Sequence, residues 1–373
     1  MITLYVHDLP DWPHLTWSAS DLAQVLAAVR HKQGRHLGRM EALGFELRSE
    51  ANLTALTSEV VRSSAIEGVR LATDEVRSSI ARRLGLEVAG LPTPSRAVEG
   101  VVEMMVDATR HYDQPLTADR LFTWHAALFP TGRSGMQRIT VGGWRDGSAG
   151  PMQVVSGALG QETVYFEAPA AERLDGEMRS FLAWFNGTTD IDPVLRAAVA
   201  HFWFVTIHPF DDGNGRIARA IADMALARGD GTPKRFSSMS ARIEAERKEY
   251  YRQLEVAQRG STDITGWITW FLGCLERAIE ASDEMLATVL RKARVWQSLA
   301  AAPIGDRQRL VINRLLDDWV GHLTSSTYAT LAKCSADTAQ RDIRDLVARG
   351  VFVHNEAGGR STSYRLAESQ TAS

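Results

Sequence analysis

The sequence has few cysteines, no long apolar run and little net charge. Its two cysteines, Cys274 and Cys334, lack the paired spacing of a metal site and are too few for a disulfide framework. We expect both to be buried thiols. No stretch approaches the roughly 18 apolar residues of a membrane-spanning helix. Residues 1–8 carry neither the basic head nor the apolar run of a signal peptide. The sequence therefore predicts a cytoplasmic protein without a membrane anchor.

Charge and composition narrow the class of protein further. A net charge of −3 and a pI near 6.4 argue against a generally basic protein that coats nucleic acid, although not against a local basic face. A hydrophobic content of 45% and a charged content of 23% are typical of a soluble globular protein. At 373 residues the chain is long for one core, so we expect two or three domains.

The most informative stretch runs from His208 to Arg219 and reads His-Pro-Phe-Asp-Asp-Gly-Asn-Gly-Arg-Ile-Ala-Arg. A helix is predicted from Gly215 onward, because apolar residues then recur at helical spacing. That stripe consists of Ile217, Ala220, Ile221, Met224 and Ala225. A glycine-rich loop ahead of a helix leaves unpaired N–H groups aimed at an anion. Arg216 and Arg219, about 60° apart on the opposite face, can reach one ligand together.

These residue types predict a polyphosphate site that includes a metal ion. The loop and the two arginines would hold phosphates, and Asp212 supplies a hard oxygen ligand for a divalent cation. His208 lies beside them on a turn that Pro209 restricts. An imidazole at this place is a candidate general base.

The same stretch resembles the signature of the Fic-domain family, His-Pro-Phe-x-(Asp/Asn)-Gly-Asn-Gly-Arg-x-x-Arg, with every specified position filled. The resemblance implies a mainly helical Fic fold and transfer of AMP from ATP to a Ser, Thr or Tyr hydroxyl of a protein. It implies that His208 is the catalytic base, that Asp212 holds Mg²⁺ between the α- and β-phosphates, and that Arg219 reaches the γ-phosphate. The other residues implied to bind phosphates are Gly213, Asn214, Gly215 and Arg216.

A second motif lies upstream, where a helix predicted from Ala51 to Ile66 ends in Ser63-Ser-Ala-Ile-Glu67-Gly68. Gly68 is a reasonable helix terminator. Glu67 is badly placed at a helix C-terminus, which prefers cations, so we expect it to have a partner elsewhere. Ser63-x-x-x-Glu67-Gly68 resembles the inhibitory motif of the Fic subclass whose inhibitory helix precedes the core. The resemblance implies that Glu67 pairs with Arg219 and blocks the γ-phosphate.

A glycine-rich region between Gly132 and Pro169 interrupts the helical pattern. Alternating runs at 153–157 and 162–167 predict a β-hairpin closed by residues 158–161. A short exposed strand can accept an extended peptide by edge pairing. The hairpin resembles the flap that Fic proteins place over the nucleotide, where the modified segment docks. The flap residues implied to contact the ligand are Thr163, Val164, Tyr165 and Phe166.

A charged helix from Glu244 carries a third group of site residues. Tyr250, Tyr251 and Gln258 resemble the family's nucleoside-contacting region. Several relatives have asparagine at the position that Gln258 occupies. Aromatic pairs on helices also pack in cores, which is the alternative explanation for the two tyrosines.

The remaining predicted helices organise the chain into three parts. Helices are predicted from Ser18 onward and over Gly34–Leu47, Arg96–Tyr112, Thr117–Phe129, Glu172–Asn186, Val194–Thr206 and Thr262–Ala287. The nearly all-apolar helix at 194–206 is expected to be the centre of the core. We expect His201 within it, and His125, to be packed residues rather than ligands. The predicted parts are an N-terminal helical region with the inhibitory helix (1–90), a Fic catalytic domain (91–287) and a C-terminal domain (293–373).

The C-terminal part has the pattern of a winged helix-turn-helix. A helix is predicted at 307–319, a short one begins at Thr327, and a third runs from Ser335 to Gly350 before two strands around the turn 356–360. The third helix would expose Thr338, Gln340, Arg341 and Arg344. Such modules bind DNA or make dimer and protein contacts, and the fold alone does not choose. The acids Asp337, Asp342 and Asp345 weaken the case for DNA.

Two other functions stay open at this point. Some Fic proteins with an intact inhibitory glutamate remove AMP from a protein by hydrolysis, and the sequence does not separate the two directions. A DNA-binding regulator whose Fic core only senses nucleotide is less favoured, because binding alone would not require His208. The resemblance further implies self-modification and a homodimer.

Overall fold

The computed structural model describes residues 4–86, 92–148, 150–156, 163–299, 304–316, 322–355 and 362–367. Helices dominate these residues, and the strands form two-stranded pairs. The chain divides into two compact units, Met1–Ser282 and Asp283–Ser373. No helix in these ranges is long and apolar enough to cross a membrane. The protein is thus mainly α, as predicted.

The first elements, in chain order, are as follows. The helices are α1 (Ala19–Glu41), α2 (Phe45–Ile66), α3 (Thr73–Arg83), α4 (Arg96–Arg110), α5 (Ala118–Leu128), α6 (Leu174–Asn186), α7 (Pro193–Ile207), α8 (Asn214–Asp230), α9 (Met239–Ala245), α10 (Arg247–Gln258) and α11 (Thr265–Ser298). The strands are β1 (Arg133–Ser134), β2 (Gln137–Arg138), β3 (Gln153–Ser156) and β4 (Thr163–Glu167). Short 3₁₀ helices lie at Val6–Asp8 and Ala171–Arg173.

Helix α7 is the buried centre of the first unit, as its apolar composition predicts. Its N-terminus is capped by Asp192, whose carboxylate accepts a hydrogen bond from the Val194 N–H at 2.8 Å. Phe202 and Phe204 are fully buried. His201 is also buried, and its Nε2 lies 3.0 Å from the Tyr250 hydroxyl. His201 is therefore a packed core residue, as expected.

The N-terminal helices differ from the prediction. Helix α1 is continuous across Gly34 and Gly38, where we expected a new helix to begin at Gly34 and run to Leu47. The next helix, α2, begins at Phe45 rather than Ala51. Both glycines lie in open space, so a single long helix tolerates them without a packing conflict. Glycine lowers helix stability by about 1 kcal/mol, which tertiary packing of the other residues overrides.

The predicted hairpin is present as the antiparallel pair β3–β4. Gln153 pairs with Glu167 and Val154 with Phe166, and the register then shifts so that Val155 pairs with Val164. The shift leaves Tyr165 as an extra residue on β4, which is a β-bulge. The predicted turn at 158–161 lies outside the described residues. A second small pair, β1–β2, was not predicted.

After the end of α11, the described residues of the second unit form three short helices and a strand pair. These are α12 (Asp306–Leu316), α13 (Ser325–Ala332), α14 (Ala336–Ala348), β5 (Phe352–His354) and β6 (Tyr364–Leu366). Its own small core includes Val311, Ile312, Tyr328 and Leu346, all fully buried. The predicted end of the first of these helices (317–319) and the predicted turn at 356–360 lie outside the described residues.

The two cysteines have different environments. Cys274 is fully buried, and burial raises the pKa of its thiol to about 12. Cys334 is only partly buried at the edge of the second core, so the expectation of two buried thiols holds for Cys274 alone.

Candidate active site

The side chain of Asn214 holds the loop from His208 to Asn214 in its conformation. The Asn214 carboxamide accepts a hydrogen bond from the Phe210 N–H at 3.0 Å and donates one to the Phe210 carbonyl at 2.7 Å. Phe210 is fully buried and stacks on the His125 ring, with ring centroids 4.2 Å apart. The Asn214 amide is therefore engaged inside the loop, and its side chain is only 2% exposed. We expected this amide to face phosphates; its observed contacts instead hold the turn in shape.

Backbone conformation sets where the loop begins and where α8 starts. His208 ends α7 in the left-handed conformation, with φ 50° and ψ 59°, which is uncommon for a residue other than glycine. Gly213 precedes α8 with φ 83°. A Cβ at residue 213 would also lie 2.9 Å from the Phe129 ring, so glycine is needed for both reasons.

Arg145 supports the same loop from outside and was not singled out from the sequence. Its Nε donates to the His208 carbonyl at 2.8 Å, and its guanidinium also donates to the Pro169 carbonyl. Its backbone N–H donates to the Pro209 carbonyl at 2.9 Å. Arg145 is 4% exposed, so a buried cation fixes the strained residue that carries the candidate base.

The His208 ring has the orientation of a proton acceptor. Its Nδ1 lies 3.1 Å from the Val205 carbonyl, and a carbonyl only accepts, so Nδ1 carries the proton. In the neutral ring the other nitrogen, Nε2, is then free of a proton, and the residue lines a cavity. Burial lowers the pKa of His208, and the positive charge of Arg145 lowers it further. Neutral His208 is the form that a general base needs.

The cavity in front of His208 has a volume of about 660 Å³. One wall is the loop, including Asp212, Gly213 and Gly215. A second wall is the hairpin, which we call the flap, and a third is α10. The flap contributes Met152, Gln153, Val154, Val155, Tyr165 and Phe166, and α10 contributes Arg247, Lys248, Tyr250, Tyr251, Arg252, Leu254, Glu255 and Gln258. Glu67 also borders the cavity.

Three predicted nucleoside contacts on α10 lie in that wall. Tyr250 is 1% exposed, and burial raises the pKa of its phenol, which stays protonated and can donate. Tyr251 is 37% exposed at the mouth, with the Arg247 guanidinium 5.6 Å from its ring centroid. Gln258 is buried, and its Nε2 lies 3.4 Å from the Thr206 hydroxyl.

The predicted flap residues divide into two groups. Tyr165 and Phe166 line the cavity, whereas Thr163 and Val164 are not among its lining residues. The Val164 and Tyr165 carbonyls accept hydrogen bonds from the Arg259 guanidinium, at 2.9 Å and 3.1 Å. Arg259 thus ties the flap strand β4 to the end of α10.

The two arginines of the loop motif are buried rather than open to the cavity. Arg216 is 4% and Arg219 is 2% exposed, and neither is among the residues that line the cavity. The Arg216 guanidinium lies 5.0 Å from the Phe129 ring centroid, and its Nη2 is 4.0 Å from Asp212 Oδ1. Arg216 Nε and Arg219 Nη1 are buried donors that have no hydrogen-bond partner among the described residues.

Arg219 is covered by the end of α2. Its Nε donates to the Ser63 hydroxyl at 2.8 Å, and its Nη2 donates to the Ser63 carbonyl at 2.9 Å and to Glu67 Oε1 at 2.7 Å. Burial alone would lower the pKa of Arg219, but the Glu67 carboxylate together with Tyr250 and Tyr251 outweighs burial, and the pKa is raised. Gly68 ends α2 with φ 79°, and the Val69 N–H closes the turn on the Ser64 carbonyl at 3.0 Å.

Glu67 also lies against the first residues of α8. A Cβ at residue 215 would overlap Glu67 Oε1 and would come within 3.2 Å of Arg219 Nη1. Glycine at 215 therefore lets the carboxylate reach a helix N-terminus, where negative charge is favoured. The sequence predicts a partner for Glu67, and the structure shows two: the N-terminus of α8 and the Arg219 guanidinium.

Asp212 is the one loop carboxylate predicted to bind a metal. Its side chain is 42% exposed; one oxygen accepts from the Ser134 hydroxyl and the other from the Gly213 N–H at 2.5 Å. No group of three His, Cys, Asp or Glu side chains that could hold a metal occurs in the described ranges. Mg²⁺ is commonly held by one or two carboxylates together with phosphates and water, so a single exposed Asp212 fits an ion that arrives with a nucleotide.

His125 lies behind the loop and is not a ligand. Its Nε2 is 3.2 Å from the Asp212 carbonyl, to which it donates. The residue is fully buried, and burial lowers its pKa to about 4. It is therefore a packed, neutral histidine, as expected.

Two family models match the chain. Residues 115–226, which include α5 to most of α8 and the whole loop motif, match the Fic/DOC family. The chain carries a Fic/DOC family domain. Residues 5–86, which include α1, α2 and the Glu67 motif, match a domain of unknown function, DUF4172.

Curated relatives of the Fic domain are named protein adenylyltransferases. Protein adenylyltransferase fic-1 of Caenorhabditis elegans is 34% identical over 119 residues, which are 31% of this chain and 22% of that protein. Protein adenylyltransferase Fic of Nematostella vectensis is 36% identical over 115 residues, 30% of this chain and 25% of that protein. The chain thus matches about a quarter of the length of these relatives.

Solved structures share the fold. A Fic family protein from Desulfovibrio desulfuricans matches with a TM-score of 0.54 and 22% identity, over 96% of this chain and 98% of the other. A Fic domain containing signaling protein from Bacteroides thetaiotaomicron matches with a TM-score of 0.51 and 19% identity, over 70% of this chain and 98% of the other. At these identities the likeness concerns the fold alone.

Several residues of the Fic domain site were missed by sequence reasoning. Arg145 and Ser134 lie in the irregular region 132–169, where no local pattern marks them. Three exposed cations, Arg247, Lys248 and Arg252, line the mouth of the cavity. Lys248 and Arg252 lie four residues apart, as do Arg247 and Tyr251, and this spacing, which places each pair on one side of α10, could have indicated cations beside the tyrosine.

Proposed function

We propose that this protein is a protein adenylyltransferase, which transfers AMP from ATP to a Ser, Thr or Tyr hydroxyl of a protein. The observation that carries the proposal is the His208 ring, which lines the cavity and whose Nδ1 is bonded to the Val205 carbonyl, so that Nε2 is the nitrogen that accepts a proton. The names of the curated relatives support the same reaction.

In this reaction His208 Nε2 removes the proton from the acceptor hydroxyl. The hydroxyl oxygen attacks the α-phosphorus, the bond between that phosphorus and the oxygen bridging to the β-phosphate breaks, and pyrophosphate leaves. A positioned base of this kind contributes about 10²–10⁴-fold to the rate. Arg145 keeps the base in place through the His208 carbonyl.

The start of α8 is the proposed phosphate site. The N–H groups at Gly213, Asn214 and Gly215 and the helix dipole favour an anion there. Arg216 Nε and Arg219 Nη1 are buried donors in need of acceptors, which phosphate oxygens would supply. Asp212 would hold Mg²⁺, which neutralises phosphate charge when it is bound.

The flap and α10 form the proposed nucleoside and acceptor sites. Tyr250, Tyr251 and Gln258 offer aromatic surface and hydrogen-bonding groups to an adenosine. The edge of strand β3 that does not pair with β4 is the main-chain edge proposed for an extended target segment, because the β4 carbonyls of Val164 and Tyr165 already accept from Arg259. In this proposal Tyr165 and Phe166 contact the ligand, and Thr163 and Val164 act through the backbone of the flap.

The motif Ser63, Glu67 and Gly68 is the proposed brake on this reaction. Glu67 occupies the anion position at the start of α8 and uses the Arg219 Nη2 donor. A γ-phosphate at Arg219 would then meet a carboxylate, and the two negative charges cannot share the site. Transfer from ATP therefore requires that Glu67 move away.

The direct test compares His208→Ala with a control, both made in a Glu67→Gly parent. We expect the parent to label itself or a protein target with AMP in the presence of ATP and Mg²⁺, as seen by mass spectrometry. His208→Ala should lose this product while keeping ATP binding by calorimetry. His31→Ala, which alters an exposed histidine on α1, should behave as the parent. Equal labelling by the His208→Ala protein would contradict the proposal.

A second candidate is the reverse process, hydrolytic removal of AMP from a protein. It is favoured by one observation, that the Glu67 carboxylate borders the same cavity as His208 and could position a water molecule. The test is to supply an AMP-modified protein and measure release of AMP. If release is fast with Glu67 present and lost in Glu67→Gln, hydrolysis is the reaction; if neither protein releases AMP, this candidate is excluded.

A further inference from the structure

The second unit carries a helix whose exposed face is basic, although its sequence is not. Helix α14 contains Asp337, Asp342 and Asp345 beside Arg341 and Arg344. These acids were the reason for not favouring a nucleic acid partner from the sequence. Their contacts in the folded unit change that assessment.

Two of the three acids, Asp342 and Asp345, make hydrogen bonds and ion pairs with other residues of the second unit. Asp342 Oδ2 lies 3.2 Å from Arg307 Nε on α12 and 3.2 Å from the Tyr328 hydroxyl on α13. Asp345 accepts from Gln308 Nε2 on α12 at 2.8 Å and pairs with Arg349. Each of these two carboxylates therefore faces a cation of its own unit, Arg307 for Asp342 and Arg349 for Asp345.

The opposite face of α14 is exposed and polar. Gln340, Arg341 and Arg344 are exposed, and the described structure shows no ion pair for either arginine. Lys333, in the turn before the helix, is exposed as well. Asp337 is the one acid exposed with them. The centre of a protein interface requires exposed hydrophobic side chains. Among the described residues, no large exposed hydrophobic residue lies on α14.

The chain segments on either side of α14 are a tight turn and a strand pair. Three residues join α13 to α14; Lys333 is left-handed with φ 49°, and Ser335 caps α14 by accepting from the Thr338 N–H at 3.3 Å. Strands β5 and β6 follow, and the Tyr364 N–H donates to the Leu323 carbonyl at 2.8 Å, which adds a third short extended segment. A helix, a tight turn, a second helix and a small sheet are the parts of a winged helix-turn-helix.

We propose that the second unit binds duplex DNA, with α14 in the major groove. Arg341 and Arg344 lie three residues apart on one face, so both reach the same groove wall, where arginine contacts phosphates or guanine edges. Gln340 is a side chain that can read adenine. Lys333 adds a phosphate contact at the N-terminal end of the helix. This binding is separate from the reaction in the Fic domain and needs no nucleotide.

The experiment measures binding of the full chain to short labelled duplexes of randomised sequence, by fluorescence anisotropy over a range of salt concentrations. The test variant is Arg341→Ala together with Arg344→Ala. The matched control is Arg314→Ala, which removes an exposed cation from α12 of the same unit. Thermal melting of each variant checks that the unit stays folded.

We expect the parent and Arg314→Ala to bind alike, and the double variant to bind at least about tenfold more weakly at moderate salt. The slope of log affinity against log salt should become shallower by about 2, one for each lost phosphate contact. Asp337→Asn should bind more tightly than the parent, because it removes the one acid on the exposed face.

Three results would overturn the proposal. The first is absence of duplex binding by the parent even at low salt. The second is equal binding by the double variant and Arg314→Ala. The third is that the double substitution changes the sedimentation mass of the protein and not its DNA affinity, since α14 would then be a contact between protein copies.

Discussion

Glu67 accepts a hydrogen bond from Arg219 at 2.7 Å, across 152 residues of sequence. The arginine is buried and the carboxylate is 26% exposed, so the pair lies at the edge of the cavity. A pair of this kind closes one end of the candidate phosphate site. Glu67 is the C-cap residue of α2 and directly precedes the Gly68 turn, so its side chain lies at the end of the helix.

Glu67→Gly should increase the transfer of AMP. A closed state favoured by a few kcal/mol leaves about 0.1–10% of molecules competent, so the increase should be at least about tenfold. The measurement is incorporation of label from α-labelled ATP. Glu46→Gly, at an exposed position in the first turn of α2, is the control and should leave the rate unchanged. Equal rates for parent and Glu67→Gly would remove the claim of autoinhibition.

Ser63→Ala should release the brake in part. It deletes the hydroxyl that accepts from Arg219 Nε, while the Ser63 carbonyl and Glu67 keep their bonds to the same guanidinium. The gain in rate should therefore be smaller than for Glu67→Gly. Ser64→Ala is a close control, because the Ser64 hydroxyl is equally buried and has no hydrogen-bond partner among the described residues. If both serine variants gave the same rate, the hydroxyl of Ser63 would have no role in the brake.

Glu59→Gln should also weaken the brake, although Glu59 does not touch the cavity. Its buried carboxylate on α2 accepts from the Ser238 hydroxyl at 2.8 Å, the Ser240 N–H at 2.9 Å and the Ser240 hydroxyl. These bonds hold α2 against the start of α9 and so position Glu67. We expect higher AMP transfer from Glu59→Gln.

A double substitution tests whether Glu59 acts by positioning Glu67 or by a general loss of protein stability. In a Glu67→Gly background, Glu59→Gln should give no further increase, because the group that it positions is gone. Glu46→Gln, an exposed carboxamide substitution on the same helix, should have no effect in either background. An equal increase in both backgrounds would show that Glu59 acts elsewhere.

The pH dependence of the reaction should reflect the lowered pKa of His208. The base must be neutral, and burial and Arg145 both favour the neutral form, so the acid limb of kcat/KM should lie below the ordinary histidine value of 6.5. Glu67 raises the pKa of His208, so the limb should move to still lower pH in Glu67→Gly. A limb at or above pH 6.5 in both proteins would contradict the assignment of His208 as the base.

Much of the site could be predicted because its residues are contiguous. The loop, the start of α8 and the position of His208 follow from one stretch of twelve residues, and the Gly68 turn and the flap strands also follow from local pattern. The end of α1 could not be predicted in this way. The sequence predicts a new helix from Gly34 to Leu47, yet α1 continues through Gly34 to Glu41 because packing of its other residues on neighbouring helices overrides the glycines.

Other features depend on segments that are far apart in the chain. Arg145 fastens His208 from 63 residues away, and Ser134 reaches Asp212 from 78 residues away. The inward rotation of the Asn214 amide, and the pairing of Asp342 with Arg307, likewise appear only when the chain is folded. Composition and spacing carry no information on such contacts.

By itself, the sequence determined the parts of the candidate site, because the candidate base, the glycine-rich loop and the flap are short-range patterns of residue type and backbone freedom. The tertiary structure decided where the cations of that loop lie and what covers them. The two arginines that the sequence places on one helix face are both buried, and the end of α2 covers Arg219. A guanidinium removed from water requires acceptors, and Ser63 and Glu67 supply them to Arg219.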